Sequence, residues 1–177
     1  MKENQKIKFY ENTISSCRED IINGVQINKE QVEYNIGKTM SAASNVGRRE
    51  NQEDSVLILE HKENKNIKLL AVADGVGGVE NSEQASQYLL KELLIFFEST
   101  KAKYYNELEY IKKALEQKIL LANEEIIEKQ IGKTTLSMAI VTEQETFIIN
   151  IGDSRIYTYE NSDLIQQTRD DSLVQIY

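Results

Sequence analysis

The sequence has a single cysteine, no proline, no tryptophan and a shortage of positive charge. One cysteine excludes both an intramolecular disulfide and a cysteine-rich zinc site. Lys and Arg number 21 against 29 Asp and Glu, which gives a net charge of −8. A chain this acidic is not expected to bind nucleic acid or anionic lipid, because both carry dense negative charge. The absence of proline and tryptophan favours no particular function.

Long hydrophobic runs are also missing. No stretch approaches the roughly 18 apolar residues of a membrane span, and the first residues, MKENQKIKFYEN, contain no apolar signal core. We therefore predict a cytoplasmic protein without a membrane partner. At 40% hydrophobic residues the chain can still bury a core, and its 177 residues allow one domain with a short extension.

The chain divides at about residue 37. Residues 1–37 are polar with scattered apolar positions and are interpreted as an N-terminal extension, helical or disordered in part, whereas residues 38–177 show regular patterns. The predicted strands are 54–60, 67–73, 134–142, 146–151 and 154–159, the predicted helices are 83–99 and 104–130, and a further helix opens near Tyr177. Strands, a helix pair and strands again, joined by short turns, predict an α+β fold with helices packed on an antiparallel sheet.

Acidic residues gather where the predicted strands begin or end. Glu53 and Asp54 open one strand, Asp74 closes the next, and Asp153 lies in a tight Gly-Asp turn. Carboxylates on one rim of a sheet can converge, and such a cluster suits a hard divalent cation such as Mg²⁺ or Mn²⁺. Gly75 has no side chain, so its carbonyl could approach the ion closely.

Arg49, five residues before Asp54, would supply a forked cation for an anionic substrate beside the metals. Taken singly, these residues have ordinary interpretations. An aspartate at a strand end is commonly a turn former, and an arginine is commonly a solvated surface residue.

Four motifs occur in a fixed order along the chain. They are SNVGRRENQEDSVLIL, LLAVADGVGG, GKTTLSMAIV, and FIINIGDSRIYTY followed by LIQQTRDDSLVQ. Together they resemble the metal-dependent protein phosphatases, the type 2C Ser/Thr phosphatase family, in its bacterial form, over about residues 40–177. The resemblance implies an antiparallel β-sandwich flanked by helix pairs, the α/β/β/α phosphatase fold.

The resemblance also implies a site for two Mn²⁺ or Mg²⁺ ions. Asp74 would bridge the ions and Gly75 would supply a backbone carbonyl ligand. Glu53 and Asp54 would hold metal-bound waters or bind a metal directly. Asp153 would lie near a third, weaker metal position.

The implied reaction is hydrolysis of phosphoserine or phosphothreonine in a phosphorylated protein. A metal-activated water would attack phosphorus in line while the cations absorb the developing charge. Arg49 would grip the substrate phosphate, so that Arg49 and Asp74 are the predicted catalytic residues.

Two motifs of the resembled family do not occur among the 177 residues, Thr-Asp-Gly and Asp-Asn, each of which carries a metal-ligating aspartate. The resemblance therefore implies a phosphatase-like domain, residues 38–177, without its C-terminal third and with at least one metal weakened. Unfinished sheets would expose edges that a partner or an oligomer has to cover.

Three interpretations follow from this pattern. The chain is an active metal-dependent Ser/Thr phosphatase, a catalytically impaired phosphatase-like binding or regulatory module, or a fragment without an independent role.

The other reactive side chains and the remaining motif of the sequence do not indicate a further functional site. His61, in the polar segment HKENKN, is predicted to be a solvated surface residue, and Cys17 a plain thiol. The Gly-Lys-Thr-Thr string at 132–135 leads into a strand instead of a helix, so it is not a phosphate-binding loop. Val76 stands where some members of the resembled family have a histidine that acts as a general acid.

Overall fold

The computed structural model describes residues 31–36 and 40–171. The elements are β1 (Gln31–Ile36), β2 (Met40–Asn45), β3 (Asp54–Glu60), β4 (Lys68–Asp74), α1 (Ser82–Ser99), a 3-10 helix (Ala102–Asn106), α2 (Leu108–Lys129), β5 (Leu136–Val141), β6 (Thr146–Ile151), β7 (Tyr157–Glu160) and β8 (Asp163–Gln166). Cys17 and the helix predicted near Tyr177 lie outside the described residues.

The central sheet has four antiparallel strands in the order β3-β4-β5-β6. Successive side chains of β3 point to opposite faces, so Leu57 and Leu59 enter the core beneath the helices while Val56 and Ile58 pack on the other side. All four are buried. Strand β3 is therefore covered on both faces, which explains its continuous apolar run.

The strand predictions are confirmed for β3 to β6, with shifts at the ends. The fifth predicted strand, 154–159, is wrong in its bounds, because β7 begins at Tyr157. Ser154 and Arg155 are engaged by side chains from neighbouring segments instead of by a strand ladder. Strand β7 pairs with β8, for which the sequence predicts no element.

Helix α1 packs against β3 and β4 on one face of the central sheet, and α2 packs against α1. The apolar face of α1 is buried except for the partly buried Phe96, and α2 buries Ile111, Leu115, Ile119, Ala122 and Ile126. In the described part of the chain, no helix combines the length and apolar character needed to cross a bilayer.

The second helix does not begin at residue 104 as predicted. Ala102–Asn106 forms a 3-10 helix, and Glu107, with φ −110° and ψ 71°, separates it from α2. This tighter turn lets the ring of Tyr105 enter the core, where the residue is 2% exposed. Burial of the Tyr105 ring is therefore favoured over a regular α-helix that begins at residue 104.

The predicted exposure of His61 is wrong, since the residue is 1% exposed. The β3–β4 turn folds back onto the end of α1, where His61 Nε2 lies 2.7 Å from the Thr100 carbonyl oxygen. The Glu63 backbone N–H donates to His61 Nδ1 at 3.2 Å, so Nε2 carries the proton and donates to Thr100. The ring also meets Phe97 and Tyr105 edge-on, at centroid distances of 5.3 and 5.4 Å.

Strands β1 and β2 form an antiparallel hairpin before the central sheet. Met40 of this hairpin packs with Val56 and Ile58 on the outer face of β3. The predicted limit of the N-terminal extension, at residue 37, falls between the two strands. The sequence gives no strand signal here because β2, MSAASN, consists largely of small and polar residues, and packing against β3 decides its conformation.

Candidate metal and phosphate site

Asp54 and Asp74 are opposite each other at one end of the β3–β4 pair, and the two carboxyl groups are close enough for Asp74 to raise the pKa of Asp54. Desolvation of the Asp54 carboxyl, followed by the charge and the hydrogen bond of Asp74, raises the pKa of Asp54 to about 6. The Arg49 guanidinium opposes this rise. The structure thus brings together two of the predicted metal residues, in a pair that a proton or a cation would stabilise.

The hydrophobic core fixes the register of this pair. Asp54 is the first residue of β3 and Asp74 is the last of β4, so antiparallel pairing places them side by side. A slip of one residue would turn Leu57 and Leu59 away from the helices. Burial of these apolar side chains elsewhere in the sheet therefore keeps the two aspartates close together, although their charges are alike.

Two threonines that the sequence analysis left without a role anchor the backbone of Asp74. The Asp74 N–H donates to Thr135 Oγ1 at 3.1 Å, and the Thr135 N–H donates to the Asp74 carbonyl at 2.9 Å. The Thr134 hydroxyl donates to the same carbonyl at 3.1 Å. In the Gly-Lys-Thr-Thr string, two hydroxyl residues directly precede an apolar strand, and this pattern could have indicated the contact with Asp74.

Close backbone contact explains the glycine that follows Asp74. The Gly75 N–H donates to the Glu53 carbonyl at 3.1 Å, and the Ser86 hydroxyl donates to the same oxygen at 2.7 Å. A Cβ atom on residue 75 would lie 2.7 Å from the Ser82 carbonyl oxygen and 2.8 Å from that of Glu53. The chain needs a glycine here for packing, and the role of the Gly75 carbonyl as a metal ligand stays a prediction.

Arg49 and Glu53 form an ion pair beside the two aspartates. Arg49 Nη1 donates to Glu53 Oε2 at 2.8 Å. The arginine side chain is 68% exposed and the glutamate 19%. The Glu53 carboxylate is thus directed at the predicted phosphate-binding residue, while its predicted role towards a metal stays a prediction.

Asp153 lies in the Gly-Asp turn after β6, and this turn is tied to the site through a hydroxyl pair. Thr135 Oγ1 and Ser154 Oγ are 3.0 Å apart, and Gly152 takes a φ of +99° to form the turn. Asp153 itself is exposed. Within residues 40–171, no group of three or more His, Cys, Asp or Glu side chains is placed to hold a metal ion, and the role of Asp153 near a weaker metal position stays a prediction.

A second tie holds the same turn from its other side. Arg155 Nε donates to both carboxylate oxygens of Asp170 at 2.9 and 3.0 Å, and Nη2 adds a contact of 2.5 Å. The Asp171 N–H donates to the Gly152 carbonyl at 2.9 Å. The Arg155 guanidinium lowers the pKa of Asp170, so that buried carboxylate acts as a structural anchor.

The chain is similar in sequence to known phosphatases. A family model described as protein phosphatase 2C matches residues 43–172. The serine/threonine phosphatase stp of Listeria welshimeri is 35% identical over 132 residues, covering 71% of this chain and 51% of that protein. The chain spans about half the length of the curated relatives it matches.

Solved structures show the same fold. A bacterial serine phosphatase superposes with a TM-score of 0.65 at 25% identity, covering 84% of this chain and 57% of that one. The catalytic domain of the serine threonine protein phosphatase PstP, in complex with two manganese ions, superposes with a TM-score of 0.50 at 26% identity, covering 72% and 53%. The predicted α+β fold is confirmed, and the chain belongs to the protein phosphatase 2C family.

Proposed function

We propose that this chain acts as a metal-dependent Ser/Thr phosphatase domain that hydrolyses phosphoserine and phosphothreonine in proteins. The observation that carries the proposal is the Asp54–Asp74 pair, two aspartates placed opposite each other at a strand end whose register the core fixes. Membership of the protein phosphatase 2C family and similarity to proteins named serine/threonine phosphatases support the same activity.

Asp54 and Asp74 would hold Mn²⁺ or Mg²⁺, with the Gly75 carbonyl and Glu53 beside them and Asp153 at a weaker further position. The fit rests on the donor chemistry, since hard divalent cations prefer oxygen ligands and neutralise paired carboxylates. The two manganese ions of the PstP catalytic domain support this choice of metal. When bound, the cations supply Lewis acidity for attack of water on phosphorus.

Arg49 would bind the phosphate of the substrate. Its guanidinium is largely exposed, and it is near enough to Asp54 for its charge to oppose the rise in the pKa of that carboxyl. A guanidinium presents several N–H donors in a planar fork that matches phosphate oxygens. The anion would therefore be held beside the aspartate pair, at the end of the sheet where the metal would lie.

The test is hydrolysis of a phosphothreonine peptide by this chain with added Mn²⁺. We expect turnover that a chelator abolishes and that Asp74→Asn lowers by at least about 100-fold, the upper range for disturbing a metal ligand shell. Asp163→Asn, which removes an exposed carboxylate from β8, is the matched control and should retain activity.

Thermal unfolding with and without Mn²⁺ separates the two ways in which the proposal can fail. A folded chain that Mn²⁺ stabilises but that shows no turnover would reject the enzyme and favour the phosphatase-like regulatory module. A chain that Mn²⁺ does not stabilise would reject the metal site itself, because a ligand that binds the folded state must raise its stability.

A further inference from the structure

We propose that Gly77 is a positioning residue for Arg49, and that the Gly77 backbone and the Glu53 carboxylate together form a seat for the arginine guanidinium. The identity of the anion that the guanidinium binds rests on the proposed function. The seat itself follows from contacts in the structure, and the sequence motifs gave Gly77 no role.

The absence of a side chain at Gly77 makes room for Arg49. A Cβ atom on this residue would lie 2.8 Å from Arg49 Nη1 and 3.7 Å from both Cζ and Nη2, and these are the three nearest atoms. Gly77 does not have a left-handed φ, unlike Gly78 at +80°. An added side chain at Gly77 would therefore meet the guanidinium and not a backbone constraint, and the flexible arginine would have to move.

The loop that carries Gly77 is fixed on both sides of the residue. The Val76 N–H donates to the Lys133 carbonyl at 2.9 Å. The buried Ser82 hydroxyl donates to the Val76 carbonyl at 2.8 Å and to the Val79 carbonyl at 3.0 Å. Arg49 thus rests against a backbone wall that hydrogen bonds hold in place.

The Glu53 carboxylate forms the other side of the seat. Its oxygen accepts from Arg49 Nη1 at 2.8 Å, and among the described residues it is the one hydrogen-bond partner of the guanidinium. One of the five N–H donors is thereby used, and the remainder are left for an anion. An arginine held before binding loses less conformational freedom when the anion arrives, which strengthens binding.

Adding a methyl group at Gly77 should displace the guanidinium without disturbing the backbone. We expect Gly77→Ala to weaken binding of inorganic phosphate in the presence of Mg²⁺ by about tenfold, measured by isothermal titration calorimetry. The matched control is the same change in an Arg49→Ala background, where the added methyl group has no guanidinium to meet. There Gly77→Ala should cause no further loss, whereas an equal loss would overturn the proposal.

A second measurement does not depend on phosphate binding or turnover. In the ¹⁵N-labelled chain, Gly77→Ala should shift the side-chain Nε–H resonance of Arg49 and leave that of Arg155, which is paired with Asp170, unchanged. Glu53→Gln keeps the size of the side chain and should shift the same Arg49 resonance from the other side of the seat. An Arg49 resonance that neither variant moves would overturn the seat.

The two measurements also separate this inference from the proposed function. If the wild-type chain binds no phosphate, the proposed role of Arg49 towards the substrate fails. The Arg49 resonance then still decides whether Gly77 and Glu53 hold the guanidinium.

Discussion

Asp54 links the fold to its candidate chemistry at the scale of a single residue. The core sets the position of its backbone through the β3 register, whereas desolvation and Asp74 set the state of its carboxyl group. A carboxyl whose pKa is raised to about 6 keeps its proton over part of the range in which an isolated aspartate is ionised. The site therefore favours whatever neutralises the pair, a proton in the metal-free protein or a cation when one is supplied.

Asp54→Asn should stabilise the metal-free chain more as the pH rises. A carboxyl whose pKa is higher in the folded than in the unfolded chain stabilises the fold at low pH and loses that contribution as the pH rises through about 6. The asparagine variant has no proton to lose, so its stability relative to wild type should grow across this range. The gain should remain below about 1 kcal/mol, because the Asp54 carboxyl is only partly desolvated and the solvent that still reaches it screens its charge.

Urea unfolding in the presence of a chelator, at pH values below and above 6, measures this difference. Asp163→Asn, which removes an exposed carboxylate away from the site, is the control variant. A stability difference between Asp54→Asn and wild type that is flat with pH would show that Asp54 does not titrate in this way.

At the scale of elements, the segment between α2 and β5 joins the two turns that carry the predicted metal residues. Thr135 accepts a hydrogen bond from the Asp74 backbone and pairs with Ser154 beside Asp153. A Cβ on Gly152 would lie 2.7 Å from Thr135 Cγ2, so the turn packs tightly on the same side chain. One threonine thus sets the distance between the end of β4 and the end of β6.

Thr135→Val should lower the free energy of unfolding by about 1–2 kcal/mol, because a valine keeps the shape but leaves the Asp74 N–H without its acceptor. Amide hydrogen exchange at Asp74 should become at least about fivefold faster, the equivalent of losing one hydrogen bond. Thr142→Val is the matched control, since its hydroxyl bonds within the β5–β6 turn. An Asp74 amide that responds equally to both variants would contradict the link.

The sequence predicts those elements that bury many apolar side chains. Strand β3 has a continuous apolar run and helix α1 has apolar residues at helical spacing, and both form where these patterns indicate. The Asp54–Asp74 contact is also accessible from sequence, because a hairpin pairs the ends of its strands. The same patterns say nothing of β2, whose small residues acquire their conformation only from packing against β3.

Long-range contacts account for the other failures. The sequence predicts that His61 is a loop residue, yet its ring forms a hydrogen bond with the carbonyl of Thr100, which is 39 positions away in the sequence. Gly77 reads as one of several loop glycines, yet its neighbour is the Arg49 guanidinium. Neither contact follows from local spacing, because each depends on how two separate turns meet in three dimensions.

At the scale of the whole molecule, an apolar groove of about 850 Å³ runs beside α2. Its walls include Leu120, Ile127 and Ile151, which are 57%, 66% and 44% exposed. Exposed apolar surface of this kind commonly marks a contact site. The expectation that a partner or a second copy covers part of the molecule remains a prediction, for which this groove is one candidate location.

The groove should bind the apolar dye anilinonaphthalene sulfonate in the folded state. We expect the double substitution Leu120→Glu and Ile127→Glu to reduce the bound-dye fluorescence by about half or more, since it places charges that repel the anionic dye in the apolar wall. Ile95→Glu, which alters an apolar side chain of α1 with 41% exposure, is the control. Equal fluorescence from the groove variant and the control would show that the dye binds elsewhere.

The burial of His61 gives this protein a built-in spectroscopic probe. The chain has one histidine, so its imidazole C2–H proton yields a signal without overlap from any other residue of that type. The ring is enclosed by the β3–β4 turn, the end of α1 and the Tyr105 turn. A single resonance therefore reports whether these three segments remain assembled, in every variant described above and without any added label.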